Sequence, residues 1–147
     1  LKFEGPAGRF VLREPAKSGA AFIATGTGLT PFRSMIPHLL HQGCQTDVLL
    51  LFGIREEAEI LFREEFEELA RRHSNFRFVP TLSRANEGWQ GERGYVQLQV
   101  EKLLKGRPEM ETYVCGLKKM VDEVRGQLMT MGFERRRIYF EKYDFIA

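Results

Sequence analysis

One stretch decides the fold of this chain: residues 20–31 read AAFIATGTGLTP. It opens with a short apolar run, long enough for a strand that is buried on both faces. Gly26 and Gly28 then permit positive φ and close approach of the backbone, and Thr30 before Pro31 predicts a helix N-cap followed by proline at the first helical position. A strand, a glycine turn and a helix N-terminus can present N–H groups to a phosphate. The same pattern also suits a plain strand-to-helix turn, so the rest of the chain has to decide between the two.

The composition is that of a soluble globular domain, with 43% hydrophobic and 29% charged residues in a chain of 147. A net charge of +2 gives no argument for nucleic acid or for a membrane surface as a partner. No apolar run has transmembrane length and no signal peptide opens the chain, so we expect a cytoplasmic protein. Cys44 and Cys115 lack a paired spacing, which favours a reducing compartment, and His38 with His41 has no partner that would predict a metal site.

Apolar patterns along the chain predict alternating strands and helices. Strands are expected at the start of the 20–31 stretch and over residues 47–53, 76–82, 111–115 and 138–140. Helices are expected from Phe32 to Gly43, with a kink at Pro37, and over residues 56–72, 96–104 and 121–131. This alternation predicts an α/β fold, a five-stranded parallel sheet with helices on both faces.

In such a sheet, ligands bind beyond the carboxyl ends of the strands. That rule brings the loops at residues 25–30, 53–56, 83–94 and 115–119 around one crevice. Three basic side chains, one hydroxyl and one aromatic ring follow the strands there. They are Arg55, Arg84 and Arg93, then Ser83, then Tyr95. They suit an adenosine that carries an extra phosphate, although scattered solvated arginines would give the same pattern. No acidic residue ends the second strand, where a protein of the NAD-binding type would hold the ribose diol.

Taken together, these motifs resemble the nicotinamide-nucleotide domain of the ferredoxin–NADP reductase superfamily. The resemblance runs from Gly5 to Tyr143 and is carried by five segments: GPAG at 5–8, GTGLTPFRS at 26–34, Ser83-Arg84 with Tyr95 beyond, CGLK at 115–118 and EKY at 141–143. It implies that residues 1–14 are the tail of an upstream flavin-binding domain and that residues 15–147 are the NAD(P)-binding domain. The chain departs from the family in lacking the flavin signature and in running past Tyr143 by four residues.

The resemblance also implies the site residues. Those expected to bind the nucleotide are Thr25, Gly26, Thr27, Gly28, Leu29, Thr30, Pro31, Arg55, Ser83, Arg84, Arg93, Tyr95, Cys115, Gly116 and Leu117. Those expected beside the reacting rings are Cys115, Glu141 and Tyr143, with Cys115 as a polarizable contact for the nicotinamide and not as a nucleophile. We expect a Cβ at Gly28 to block the pyrophosphate while leaving the fold intact.

The chemistry that the resemblance implies is hydride transfer between NADPH and FAD, with electrons passed on to a ferredoxin- or flavodoxin-like acceptor. NADP(H) is the expected cofactor of this chain, with NAD(H) possible, and FAD is expected on the upstream domain. One alternative is an NADH-dependent oxygenase or cytochrome reductase domain, and another is a non-catalytic NADPH-sensing module. A flavodoxin-like carrier is disfavoured, because flavin mononucleotide needs no second phosphate pocket.

Overall fold

A computed structural model describes residues 2–4, 10–13 and 17–144. The strands are β1 Lys2–Glu4, β2 Ala20–Thr25, β3 Val48–Ile54, β4 Phe76–Leu82, β5 Glu92–Arg93, β6 Glu111–Leu117 and β7 Ile138–Asp144. The helices are α1 Thr30–His41, α2 Arg63–Arg72, α3 Val96–Leu104 and α4 Lys118–Thr130. All seven strands form one sheet in the order β1-β7-β6-β2-β3-β4-β5. The chain order reverses beside β2, so the switch point of the topology lies at the end of that strand.

The expected α/β architecture is confirmed, but the expected strand count of five is wrong. Six strands run parallel, because β5 pairs with β4 in parallel. β1 adds an antiparallel edge to β7, with Phe3 opposite Tyr143. Each added strand has at most three residues, too few for an apolar period to reveal it. The GPAG turn at 5–8 lies outside the described residues, and the domain boundary at residue 14 stays a prediction.

The central strands are buried on both faces because their side chains alternate between two cores. Phe22, Leu50 and Tyr113 belong to one core together with α1 and α2 residues. Ile23 and Leu51, one position along, belong to the second core beneath α3 and α4. Helices on both faces explain why these strands read as continuous apolar runs.

Three helix starts differ from the sequence-based expectation, and that of α4 lies at Lys118 instead of residue 121. A 3₁₀ turn at Gly26–Leu29 comes between β2 and α1, so Leu29 is the residue that precedes the helix and Thr30 does not cap it. The helix expected over 56–72 is broken after a 3₁₀ turn at Glu57–Glu59, and α2 begins only at Arg63. Phe62 breaks it with a φ of 53°, and the Arg33 guanidinium lies 4.1 Å from the centre of its ring.

The other helix ends follow the expectation. α1 continues through Pro37 to His41, and Gly43 follows it with a φ of 84°. After α4, Gly132 has a φ of 96°, and the Phe133 N–H donates to the Leu128 carbonyl at 3.0 Å. Glycine supplies this left-handed conformation without the cost that a Cβ would bring.

Candidate functional site

A cleft of about 780 Å³ opens at the carboxyl ends of the parallel strands, beside the topological switch point. Eight residues expected at the site line it: Thr25, Gly26, Thr27, Arg55, Ser83, Tyr95, Leu117 and Tyr143. They come from the carboxyl ends of β2, β6 and β7 and from the segments that follow β2, β3, β4 and β5. The volume is within the range of about 300–1,000 Å³ that is usual for small-molecule sites.

The turn after β2 forms one wall of the cleft. Gly26 has a φ of 54°, and a Cβ placed on it would meet open space. The glycine is therefore required by its backbone conformation and leaves the turn uncovered on the cleft side. The Thr25 side chain makes no capping hydrogen bond to the turn, and Thr25 also lines the cleft.

Gly28 is required for a different reason from the one expected. It is buried, and a Cβ on it would lie 2.2 Å from the Cys115 carbonyl oxygen and 2.9 Å from the Gly116 nitrogen. The turn packs directly on the end of β6 at this point. The expectation that a side chain at Gly28 would spare the fold is therefore wrong, because the clash is with backbone, which cannot move aside.

Four other residues expected to bind the nucleotide lie behind or beside the cleft. Leu29 is fully buried in the core, and Gly116 is buried at the end of β6. Thr30 is exposed and Pro31 half-buried at the start of α1. None of these four lines the cleft. They shape the turn that does line it.

Backbone hydrogen bonds join the loops after β3 and β4 and form the polar wall, which we define as Arg55, Glu59, Ser83, Arg84 and Tyr95. The Ser83 N–H donates to the Ile54 carbonyl at 3.0 Å, and the Arg84 N–H donates to the Arg55 carbonyl at 2.8 Å. The predicted group of a hydroxyl and two guanidiniums is thus brought together by the sheet. Arg84 is exposed just outside the cleft lining.

Arg93 was expected beside these residues, but its guanidinium supports the loop instead. It donates to the carbonyls of Asn86 at 2.9 Å and Trp89 at 2.8 Å. The Trp89 indole N–H in turn donates to the Glu92 carbonyl at 2.8 Å. Arg93 does not line the cleft, and both Nη2 donors are already used within the 83–94 loop.

Tyr95 is the aromatic residue of the polar wall, and 73% of its surface is accessible. It precedes α3, and Gly94 before it has a φ of 105° with its N–H donating to the Leu82 carbonyl at 2.9 Å. A tyrosine ring held at a helix start and left open offers a flat apolar surface to an aromatic ligand.

Cys115 and Glu141 are neighbours in register on β6 and β7, at the back of the cleft. Cys115 is fully buried, and desolvation, followed by the nearby Glu141 carboxyl, raises its pKa to about 12. It is therefore a thiol at neutral pH, which supports its predicted role as a contact and not as a nucleophile. Burial also raises the pKa of Glu141 above its usual range. Neither residue lines the cleft.

Tyr143 lies at the end of β7 with only 4% of its surface accessible. Its hydroxyl shares a hydrogen bond with the Thr27 hydroxyl, 3.0 Å between the oxygens, and has a further bond with the Gly28 backbone. Burial raises its pKa, and these hydrogen bonds oppose the rise. The ring closes the floor of the cleft beneath the glycine turn. Its predicted place against a flavin stays a prediction.

Five further cleft residues lie outside the loops that the sequence predicted around the crevice: Glu59, Val96, Gln97, Met120 and Glu123. They lie in the first turns of the elements that follow the strands, whereas the rule for parallel sheets points to the loops. The available signal was helical spacing, since Lys119 and Glu123 are four residues apart at the start of α4.

Within residues 2–4, 10–13 and 17–144, no three His, Cys, Asp or Glu side chains come together as a metal site. No helix in this described part of the chain is long and apolar enough to span a membrane. Cys44 and Cys115 are both free thiols.

A parallel sheet with a glycine turn and a cleft at its switch point defines a nucleotide-binding domain. Residues 22–126 match the model of the oxidoreductase NAD-binding domain family. The chain therefore belongs to this family, the NAD(P)-binding domain of the ferredoxin–NADP reductase superfamily.

Individual relatives agree with this assignment. The chain is 39% identical to ferredoxin–NADP reductase B of Sorangium cellulosum, over 98% of this chain and 62% of that protein. It is 37% identical to the reductase component of a phenol 2-monooxygenase from a Pseudomonas species, over 97% of this chain and 41% of that protein. The crystal structure of an Amycolatopsis cytochrome P450 reductase superposes with a TM-score of 0.82 at 31% identity, covering 94% of this chain and 42% of that one. The chain thus spans between two fifths and two thirds of the length of these relatives.

Proposed function

We propose that this chain is the NADPH-binding domain of a flavin-dependent oxidoreductase. It would position the nicotinamide for hydride transfer with FAD, with FAD held by an upstream domain and electrons passed to a ferredoxin- or flavodoxin-like acceptor. The single observation that carries the proposal is the polar wall. There the sheet brings Arg55 and Ser83 into the cleft lining beside the exposed Tyr95 ring, and a backbone hydrogen bond to Arg55 keeps Arg84 next to them, just outside the lining.

The described residues fit a dinucleotide. The turn at Gly26 and Thr27 is open on the cleft side and suits a pyrophosphate, since a Cβ at Gly26 would meet nothing within 4 Å. Ser83 and the guanidiniums of Arg55 and Arg84 suit a ribose 2′-phosphate, because hydroxyl and guanidinium groups donate to phosphate oxygens. Tyr95 suits the adenine ring. The nucleotide would thus cross the switch point from Tyr95 to Tyr143.

The bound nicotinamide and flavin would supply the hydride chemistry, and the protein would supply orientation. Leu117 and Thr27 lie at the end of the cleft near Tyr143, where they would hold the nicotinamide ring. Cys115 would support it from behind as a neutral thiol. Glu141, whose burial favours the protonated carboxyl, would act as a proton store beside the reacting rings.

A second candidate is an NADH-dependent reductase of an oxygenase or cytochrome. Two relatives are named as reductases of an oxygenase or a cytochrome, a reductase component of a phenol 2-monooxygenase and a cytochrome P450 reductase. A carboxylate in the polar wall, that of Glu59, also favours the unphosphorylated ribose. The two candidates share the fold and differ in the nucleotide preference.

Calorimetric titration of the chain with NADP⁺ and NAD⁺ tests the proposal. We expect NADP⁺ to bind more tightly, and Arg84→Ala to weaken NADP⁺ about ten-fold with little change for NAD⁺, because a charge-assisted hydrogen bond contributes about 1.5–3 kcal/mol and Arg84 is exposed. Equal weakening of both nucleotides would favour the NADH-dependent candidate. Absence of binding by either would refute both.

A further inference from the structure

Arg55 has an acidic neighbour inside the cleft. Its Nη2 donates to Glu59 Oε2 at 3.2 Å, and both residues line the cleft. The second carboxylate oxygen, Oε1, accepts the Glu56 backbone N–H at 3.2 Å, as part of a capping box on the Glu57–Glu59 turn. The Glu59 carboxylate is therefore held at both oxygens and cannot swing away from Arg55 without opening the turn.

The two arginines of the polar wall consequently differ in the charge that they offer. Arg55 is paired with Glu59, whereas Arg84 makes no ion pair with any of the residues that the structure describes. The Arg84 N–H bond to the Arg55 carbonyl keeps the two residues adjacent. A phosphate bound at Ser83 and Arg84 would thus lie close to a guanidinium that already has a carboxylate partner.

We propose that Glu59 is a specificity-determining residue that limits the preference of this domain for the 2′-phosphorylated nucleotide. Its carboxylate competes with the phosphate for the N–H donors of Arg55 and adds like charge beside it. An unphosphorylated ribose has no such competition. This inference rests on the proposed function. The Glu59 carboxylate sets how strongly the site prefers NADP⁺ over NAD⁺.

The test is Glu59→Gln, titrated with NADP⁺ and NAD⁺ at fixed salt. Glutamine keeps an oxygen for the Glu56 N–H, since the capping box accepts Gln as well as Glu, and it removes only the charge. We expect the Kd for NADP⁺ to fall about three- to five-fold, the size of an exposed charge interaction, and the Kd for NAD⁺ to stay unchanged or rise. The measured quantity is the Kd for NAD⁺ divided by the Kd for NADP⁺, and we expect this ratio to rise.

Glu57→Gln is the matched control. Glu57 belongs to the same turn and loses the same charge, but its carboxylate pairs with Arg63 at 2.8 Å and does not line the cleft. We expect the ratio of Kd values to stay as in the parent chain. If Glu57→Gln raised the ratio as much as Glu59→Gln, the effect would belong to the net charge of the turn and the proposal would be overturned.

A double-mutant cycle with Arg55→Ala tests whether Glu59 acts through Arg55. In the Arg55→Ala background, we expect Glu59→Gln to change the NADP⁺ affinity by less than about two-fold, because the competed donor is gone. An undiminished gain in that background would overturn the proposal, as would an unchanged NADP⁺ affinity in Glu59→Gln alone. If the parent chain binds both nucleotides and Glu59→Gln leaves the ratio of Kd values unchanged, only the role of Glu59 is refuted. If the parent chain binds neither nucleotide, the proposed function is refuted as well.

Discussion

The two walls of the cleft are built on different physical principles. The packed wall, which we define as the Gly26–Leu29 turn with Cys115 and Tyr143, is buried apart from Gly26 and Thr27 and is held by the close approach of Gly28 to the Cys115 backbone. The polar wall is largely exposed, and its ion pair between Arg55 and Glu59 is open to solvent. Close packing transmits any change in volume, while exposed charges are screened by water and salt. Substitutions in the packed wall should therefore alter folding, and those in the polar wall should alter ligand choice.

The largest expected effect is that of Gly28→Ala. Its methyl group would overlap the Cys115 carbonyl, so we expect a loss of about 3 kcal/mol in the free energy of unfolding and weaker binding of both nucleotides. Denaturant unfolding measures this. Gly26→Ala is the matched control, since its Cβ meets open space and only the positive φ is penalised, at about 1–2 kcal/mol. Equal losses for the two variants would contradict the difference between the packed and open sides of the turn.

The second effect belongs to the polar wall and should leave folding unchanged. Ser83→Asp places a carboxylate where a 2′-phosphate is proposed to bind, so we expect NADP⁺ affinity to fall about ten- to hundred-fold while NAD⁺ binding persists. Ser83→Asn controls for size without charge. If Ser83→Asp lowered the unfolding midpoint as much as Gly28→Ala does, the division between the two walls would fail.

Tyr143→Phe should produce a smaller effect in the packed wall. It removes the hydroxyl that bonds to Thr27, so we expect a loss of about 1 kcal/mol, or about 2–4 °C in the unfolding midpoint. Thr27→Val removes the other hydroxyl of the same hydrogen bond. The two single variants and the double variant together form a double-mutant cycle. Losses that add fully in the double variant would show that the bond contributes nothing.

The smallest expected effect concerns pH. Burial raises the pKa of Glu141 above the usual value of 4.5, so the folded chain binds this proton more strongly than the unfolded chain does. The stability that the folded chain gains by binding this proton is complete below pH 4.5, and it is lost as the pH rises through the pKa of Glu141 in the folded chain. Thermal unfolding across pH 4–8 should therefore show Glu141→Gln gaining on the parent chain as the pH rises. A stability of Glu141→Gln that fell relative to the parent chain as the pH rose would contradict the assignment.

The sequence was a good guide wherever one local rule was sufficient. The continuous apolar runs of β2 and β3 predicted buried parallel strands, and the position of Ser83 directly after β4 predicted that it would reach the cleft, whereas Arg84 lies just outside the lining. It failed where a short element or a turn depends on its neighbours. The two-residue β5 and the break at Phe62 carry no periodic signal, because each is accompanied by contacts with another element, β4 in one case and Arg33 of α1 in the other.

What the sequence by itself determined was the order of strands and helices, the position of the glycine turn and the family of the chain. These follow from periodicity and from motifs that are local along the chain. Only the tertiary structure decided that Gly28 packs on the Cys115 carbonyl, that Arg93 supports its own loop, and that Glu59 holds Arg55 within the cleft. Each of these depends on distances between atoms of different elements or on the conformation of a loop. Residue type does not encode such distances, and it is the packed sheet that sets them.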